Sequence, residues 1–95
     1  MNQSIKHNEN DSRGVFLIES DNGIISELTY SKDRNGIMTI DHTETKRGEE
    51  GKGYAGKLVE HAVAYARKME YKIDPLCPFA EVKFDEHPEY QDVRS

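Results

Sequence analysis

The stretch "EGKGYAGKLVEHA", residues 50–62, sets three glycines ahead of apolar residues spaced three and four apart. A glycine loop running into a helix points successive backbone N–H groups at one spot. The helix dipole adds partial positive charge there, so this pattern suits a pyrophosphate or similar anion. Gly51 and Gly53 permit the turns and the close approach. Ala55 keeps bulk out of the first helical turn, and Lys52 either adds charge or points to solvent. A competing spelling, G-x-G-x-x-G through Gly56, is the dinucleotide fingerprint, with Asp74 about 20 residues downstream as the ribose acid. That motif needs a strand running straight into its first glycine, whereas Lys46-Arg47-Gly48-Glu49-Glu50 intervene. Too few residues follow Asp74 to build its second half. A nucleotide P-loop is worse placed, because Gly53 follows Lys52 where Ser or Thr must bind magnesium. The working set is therefore Gly51, Gly53 and Ala55. The plain alternative is a glycine-rich helix start that binds nothing.

Two more residues could do chemistry. Cys77 is the only cysteine, which excludes an internal disulfide and gives no structural metal set. A thiolate is favoured near cations and helix N-termini, and a neighbouring histidine can serve as its base. His42, in "IDHTET", is the candidate for that role; alternatively His42 or the adjacent Glu44 deprotonates an amine that attacks a thioester directly. His42 and Glu44 share a strand face by alternation, but two ligands without a third make no metal site, and none is expected. Set against these readings, a lone cysteine is commonly a small buried hydrophobe.

The elements that must position these residues follow from periodicity. Segments 14–20, 24–31 and 37–45 read as strands joined by turns at Asp21-Asn22-Gly23 and at Lys32–Gly36, an antiparallel meander. In the second strand, Ile24, Ser26, Leu28 and Tyr30 alternate onto one face, and Ile25, Glu27 and Thr29 onto the other. From Ala55 the apolar period becomes helical through Leu58, Val59, Ala62, Tyr65 or Ala66, and Met69. Glu70 ends the helix. Residues 71–77 return to an extended form, and Pro75 suits a strand that stops pairing there. A short helix follows over 80–86, stopped at His87-Pro88. Strand, helix and strand make a crossover that places 37–45 parallel to 71–77. The fold class is therefore α+β, a mixed sheet of antiparallel meander plus parallel βαβ crossover. Both His42 and Cys77 then lie toward the C-terminal strand ends, where such crossovers bind ligands.

Composition bounds the rest. The chain has 95 residues, enough for one small domain, taken as 14–95 behind a flexible N-terminal arm, 1–13. A net charge of −5 argues against nucleic acid, which needs a basic face. No apolar run approaches the ~18 residues of a membrane span, and the N-terminus lacks the apolar core of a signal peptide, so a cytoplasmic protein is expected.

"EGKGYAGKLVEHAVAYAR" resembles motif A of the GNAT N-acetyltransferase superfamily, Q/R-x-x-G-x-G/A followed by a helix. With "DHTET" before the loop, "PLCPF" after the helix and "HPEYQDV" at the end, the chain is similar to the minimal single-domain GNAT-like family across residues 14 to 93. The resemblance implies a reduced GNAT fold, acetyl-CoA as co-substrate, and an amine acceptor, either a small molecule or a protein lysine. It implies that Cys77 and His42 are the candidate active residues. Glu50, Gly51, Lys52, Gly53, Tyr54 and Ala55 would cradle the pyrophosphate, and Asp41, His42 and Thr43 would hold the pantetheine arm. Glu50 stands where the motif has Gln or Arg. A binding module on the same fold, without catalysis, is the alternative.

Overall fold

The computed structural model describes residues 4–95. Strands β1 (Ile5–Glu9), β2 (Arg13–Ser20), β3 (Gly23–Lys32) and β4 (Ile37–Thr45) precede helix α1 (Tyr54–Met69). Strand β5 (Lys72–Pro75), helix α2 (Pro78–Glu86) and a 3₁₀ turn over Pro88–Tyr90 follow. The sheet runs β1-β2-β3-β4-β5, antiparallel throughout except for the parallel β4–β5 pair that α1 connects. This is the α+β mixed sheet expected from the sequence. Phe16, Ile18, Leu28, Tyr30, Met38 and Ile40 of the sheet pack under Leu58, Val59, Ala62, Val63 and Ala66 of α1. Among the described residues no helix is long and apolar enough to cross a membrane.

Two β-bulges displace the simple alternation. One lies between Ile18 and Glu19, which pair with Ser26 and Ile24, so Ile25 is the extra residue. Ile25 turns inward and is buried with Ser26, Leu28 and Tyr30, whereas Ile24, placed on their face by simple alternation, is 47% exposed. An inserted residue shifts every side chain before it by one position, and no local pattern announces it. Met69, the last apolar residue of the helical period, is also exposed, because α1 ends beside it. Glu70 closes the helix in the left-handed region (φ 60°), its N–H bonded to the carbonyls of Ala66 and Arg67.

The largest departure is at the N-terminus. The segment 1–13, read as an arm, contributes strand β1, so the sheet begins before residue 14, which itself falls inside β2. Residues 1–3 lie outside the described residues. A polar strand holds because its polar groups find partners. The His7 ring stacks on Phe16 with centroids 4.0 Å apart, and His7 Nε2 meets the Tyr30 hydroxyl at 2.5 Å. The Glu9 carboxylate accepts from Tyr30 Oη (2.7 Å), Tyr65 Oη (2.9 Å) and Lys32 Nζ (3.1 Å), joining β1, β3 and α1. Burial would raise the Glu9 pKa, but these donors outweigh it and hold the carboxyl at about 2. Gly14 makes room for the network: a Cβ there would lie 2.3 Å from both Cζ and Oη of Tyr30.

At the other end of the chain, the tail seals the free edge of β5. Ile73 N–H donates to Val93 O, and Ser95 N–H to Ile73 O. Arg67 holds the tail through Asp92 and the Glu89 carbonyl. Tyr90 is buried against Phe84.

Two outcomes are expected. Gly14→Ala overpacks the Tyr30 ring and lowers unfolding free energy by about 1–3 kcal/mol, read as a fall in the urea midpoint. The folded pKa of Glu9 lies below its unfolded value near 4.5, so its stabilisation is complete above that value and is lost as pH falls toward 2. Urea titrations across this acid range should therefore show Glu9→Gln losing less stability than the parent protein.

Candidate functional site

The site begins where the parallel pair ends. Strands β4 and β5 pair from Ile37–Lys72 to Ile40–Pro75. Pro75 has no N–H to extend the ladder. One more bond, from Cys77 N–H to Ile40 O at 2.9 Å, closes the join before the chain turns into α2. Strand β4 continues to Thr45 without a partner from β5. A cleft of about 560 Å³ opens at this end, walled by Thr43 and Thr45 of β4, the glycine loop, the first turn of α1, and Phe79 and Lys83 of α2.

Which face of β4 meets the cleft is decided by the second bulge. Thr29 pairs with His42 but Tyr30 with Ile40, leaving Asp41 as the extra residue. Past it, Thr43 stands opposite buried Leu28 and Thr45 opposite Ser26, on the core side. Thr45 Oγ1 meets the buried Ser26 hydroxyl at 2.9 Å. His42 and Glu44 turn to the outer face beside Thr29 and Glu27. Asp41 is also committed outward: its carboxylate accepts from Thr29 Oγ1 (2.6 Å) and Arg13 (3.0 Å). Burial opposes ionisation there, yet these donors keep its pKa below the usual aspartate value.

The loop takes its shape from glycines in the left-handed region: Gly48 (φ 91°), Gly51 (φ 80°) and Gly53 (φ 83°). A Cβ on Gly51 or Gly53 would meet nothing within 4 Å, so backbone conformation rather than crowding calls for glycine. Gly53 is the N-cap of α1, brings no capping side chain, and no acid occupies the first turn. The positive end of the helix dipole therefore faces the cleft without a carboxylate of its own turn to offset it. Of the residues expected to cradle an anion, Glu50, Gly51, Gly53, Tyr54 and Ala55 line the cleft, as does Thr43. Lys52 does not: its ammonium pairs with Glu49 at 3.1 Å. Asp41 and His42 lie outside the lining as well.

Cys77 is the N-cap of α2 and 7% exposed. Its sulfur lies 3.5 Å from Thr43 Oγ1, so it sits just behind the cleft wall. Burial pushes the thiol pKa up. Hydrogen bonds from the Thr43 hydroxyl and from the backbone N–H groups of Ala80, Phe79 and Thr43 outweigh that and bring it below the usual thiol value.

The family model of GCN5-related N-acetyl-transferases matches residues 15–93. The chain belongs to that family. The solution structure of a GCN5-like protein from Staphylococcus aureus is 32% identical, covers 99% of this chain and 89% of its own, and superposes with a TM-score of 0.71. Two further structures share the fold at lower identity. A GNAT-family crystal structure from Staphylococcus aureus is 15% identical, with a TM-score of 0.61 over 70% of this chain and 57% of that one. Ribosomal-protein-alanine N-acetyltransferase from Brucella melitensis biovar Abortus 2308 is 14% identical, with a TM-score of 0.58 over 90% and 64%. A search of curated proteins finds no match.

In this GCN5-related chain the expected Cys–His pair is not assembled. His42 has a half-exposed side chain on the outer face, bonded to Glu44 at 3.3 Å, while the partner of the sulfur is Thr43. The bulge at Asp41 is the reason, since it exchanges the faces of residues 42 and 43. The sequence reading did not find Glu49, Thr45 or Lys83, and it set Gly56 aside, yet all line the cleft. Phe79 and Lys83, four apart behind Pro78, carried a readable signal as neighbours on one helix face.

Replacing Thr43 with Val removes one donor to the sulfur while leaving the backbone donors in place. The thiol pKa should rise, seen as an upward shift in the pH midpoint of Cys77 alkylation by iodoacetamide. An unchanged midpoint would show that the hydroxyl has no part in holding the thiolate.

Proposed function

We propose that this protein binds acetyl-CoA in the cleft beside β4 and transfers the acetyl group to an amine through Cys77, acting in the cytoplasm. The observation that carries the reading is the shared geometry of one cleft. It joins an uncapped helix N-terminus behind a glycine loop to a wall residue, Thr43, that touches the only thiol. Membership of an acetyltransferase family supports it.

In this reading Gly51, Gly53 and the first turn of α1 hold the pyrophosphate by backbone donors, alongside Glu50, Tyr54 and Ala55. Thr43 guides the pantetheine arm toward the sulfur. The Cys77 thiolate attacks the thioester carbonyl, the carbon–sulfur bond to CoA breaks, and CoA leaves as its thiol after taking a proton. The acceptor amine then attacks the acetyl-cysteine, the amide forms, and the thiolate returns. Donors from Thr43, Phe79 and Ala80 stabilise the thiolate at both stages. His42, held by Glu44 on the outer face, is out of reach of Cys77 and of an amine attacking its acetyl group, so in this reading the amine gives up its proton to solvent.

A second reading, a CoA-binding module without turnover, is favoured by the 7% exposure of Cys77. Two measurements separate them. On titration with acetyl-CoA, the amide signals of residues 50–56 should shift, and intact-mass spectrometry should find one acetyl group on Cys77. That adduct, and transfer to a lysine peptide, should vanish in Cys77→Ala. Loop shifts with neither adduct nor transfer would decide for the module, and unmoved amides would defeat both readings.

A further inference from the structure

The cleft presents an unusual charge problem for an anionic ligand. Glu49 and Glu50 of the loop line it, Glu44 borders it with its carboxylate bonded to His42 on the outer face, and Lys83 is the one cation among the described lining residues. Glu49 is neutralised by Lys52. Glu50, in contrast, stands in the loop at the position where the resembled motif has Gln or Arg.

Lys83 is placed to answer that deficit. It lies one helical turn beyond Phe79 in α2, and its ammonium stands 5.5 Å from the centroid of the Phe79 ring. Its Cε lies 3.8 Å from where a Cβ on Gly56 would sit, so the aliphatic chain crosses from α2 to the first turn of α1. The bare backbone of Gly56 leaves that approach open. The present partner of Lys83 is Glu86, at 3.3 Å in the next turn, with the Glu86 side chain 54% exposed. An exposed pair of this kind is weak and screened by salt, so the ammonium is available to a multiply charged phosphate.

We propose that Lys83 is the cationic anchor for the pyrophosphate of the bound ligand, delivering from α2 the charge that Glu50 withholds at the loop. The inference rests on the acetyl-CoA reading above and adds a residue to it. Ring contact with Phe79 limits the freedom of the lysine before the ligand arrives, and its aliphatic chain beside Gly56 keeps it against the first turn of α1.

The test is calorimetric titration of the parent protein, Lys83→Gln and Lys83→Arg with CoA and with 3′-dephospho-CoA, which lacks the ribose phosphate. Thermal unfolding of each variant checks the fold. Lys83→Gln should weaken both ligands by about tenfold or more, the size of one lost charge-assisted hydrogen bond. It should also flatten the salt dependence of Kd, while Lys83→Arg keeps most of the affinity. Equal affinity in Lys83→Gln, or a loss confined to CoA with its 3′-phosphate, would overturn the pyrophosphate assignment. If the parent protein bound neither ligand, the acetyl-CoA reading itself would fall, a result independent of the variants.

Discussion

The end of pairing between β4 and β5 at Ile40 and Pro75 is the constraint on which the rest of the site depends. A proline offers no N–H for the next rung, so the ladder closes with one bond from Cys77 N–H to Ile40 O. Strand β5 spans only Lys72–Pro75, whereas β4 runs on through Thr45. The unequal lengths leave one side of β4 open, and three elements converge on that opening. The glycine loop enters α1 there, α2 begins there with Cys77 as its N-cap, and Lys83 reaches across from α2 to α1. Extending the β4–β5 ladder would close the cleft and take the sulfur away from Thr43.

The bulge at Asp41 acts on this opening from within β4. Met38 and Ile40 point into the core, and unbroken alternation would send His42 and Glu44 after them. The extra residue reverses the order, presenting Thr43 and Thr45 to the cleft and His42 and Glu44 to the outer face. Asp41 is fixed in this role by Thr29 of the adjacent β3 and by Arg13, which reaches across from β2. The chemistry is thereby divided between two faces. The sulfur is surrounded by hydroxyl and backbone donors on one side, and an imidazole–carboxylate pair stands on the other.

The opposite end of the sheet supplies rigidity by other means. Glu9 is shared by Tyr30, Tyr65 and Lys32, while His7 lies flat on Phe16. These contacts fasten a polar edge strand to both the sheet and the C-terminal half of α1. They lie away from the cleft, so their loss should act on stability rather than on ligand contacts. In a chain this small, such a network adds to a core that cannot grow much larger.

The meander, the crossover, the helix from its apolar period and the glycine loop were all legible in the residues, as was the strand-ending role of Pro75. What the sequence by itself determined is the order and type of these elements, because periodicity and turn chemistry are properties of neighbouring residues. The tertiary structure alone decided that a polar N-terminal segment becomes β1, since its partners Tyr30, Tyr65 and Phe16 are far away along the chain. It also decided that Ile25 rather than Ile24 enters the core, and that Thr43 rather than His42 meets Cys77. Each of those outcomes turns on a one-residue shift in strand register. That shift is set by hydrogen bonds to the adjacent strand and leaves no mark on the local pattern.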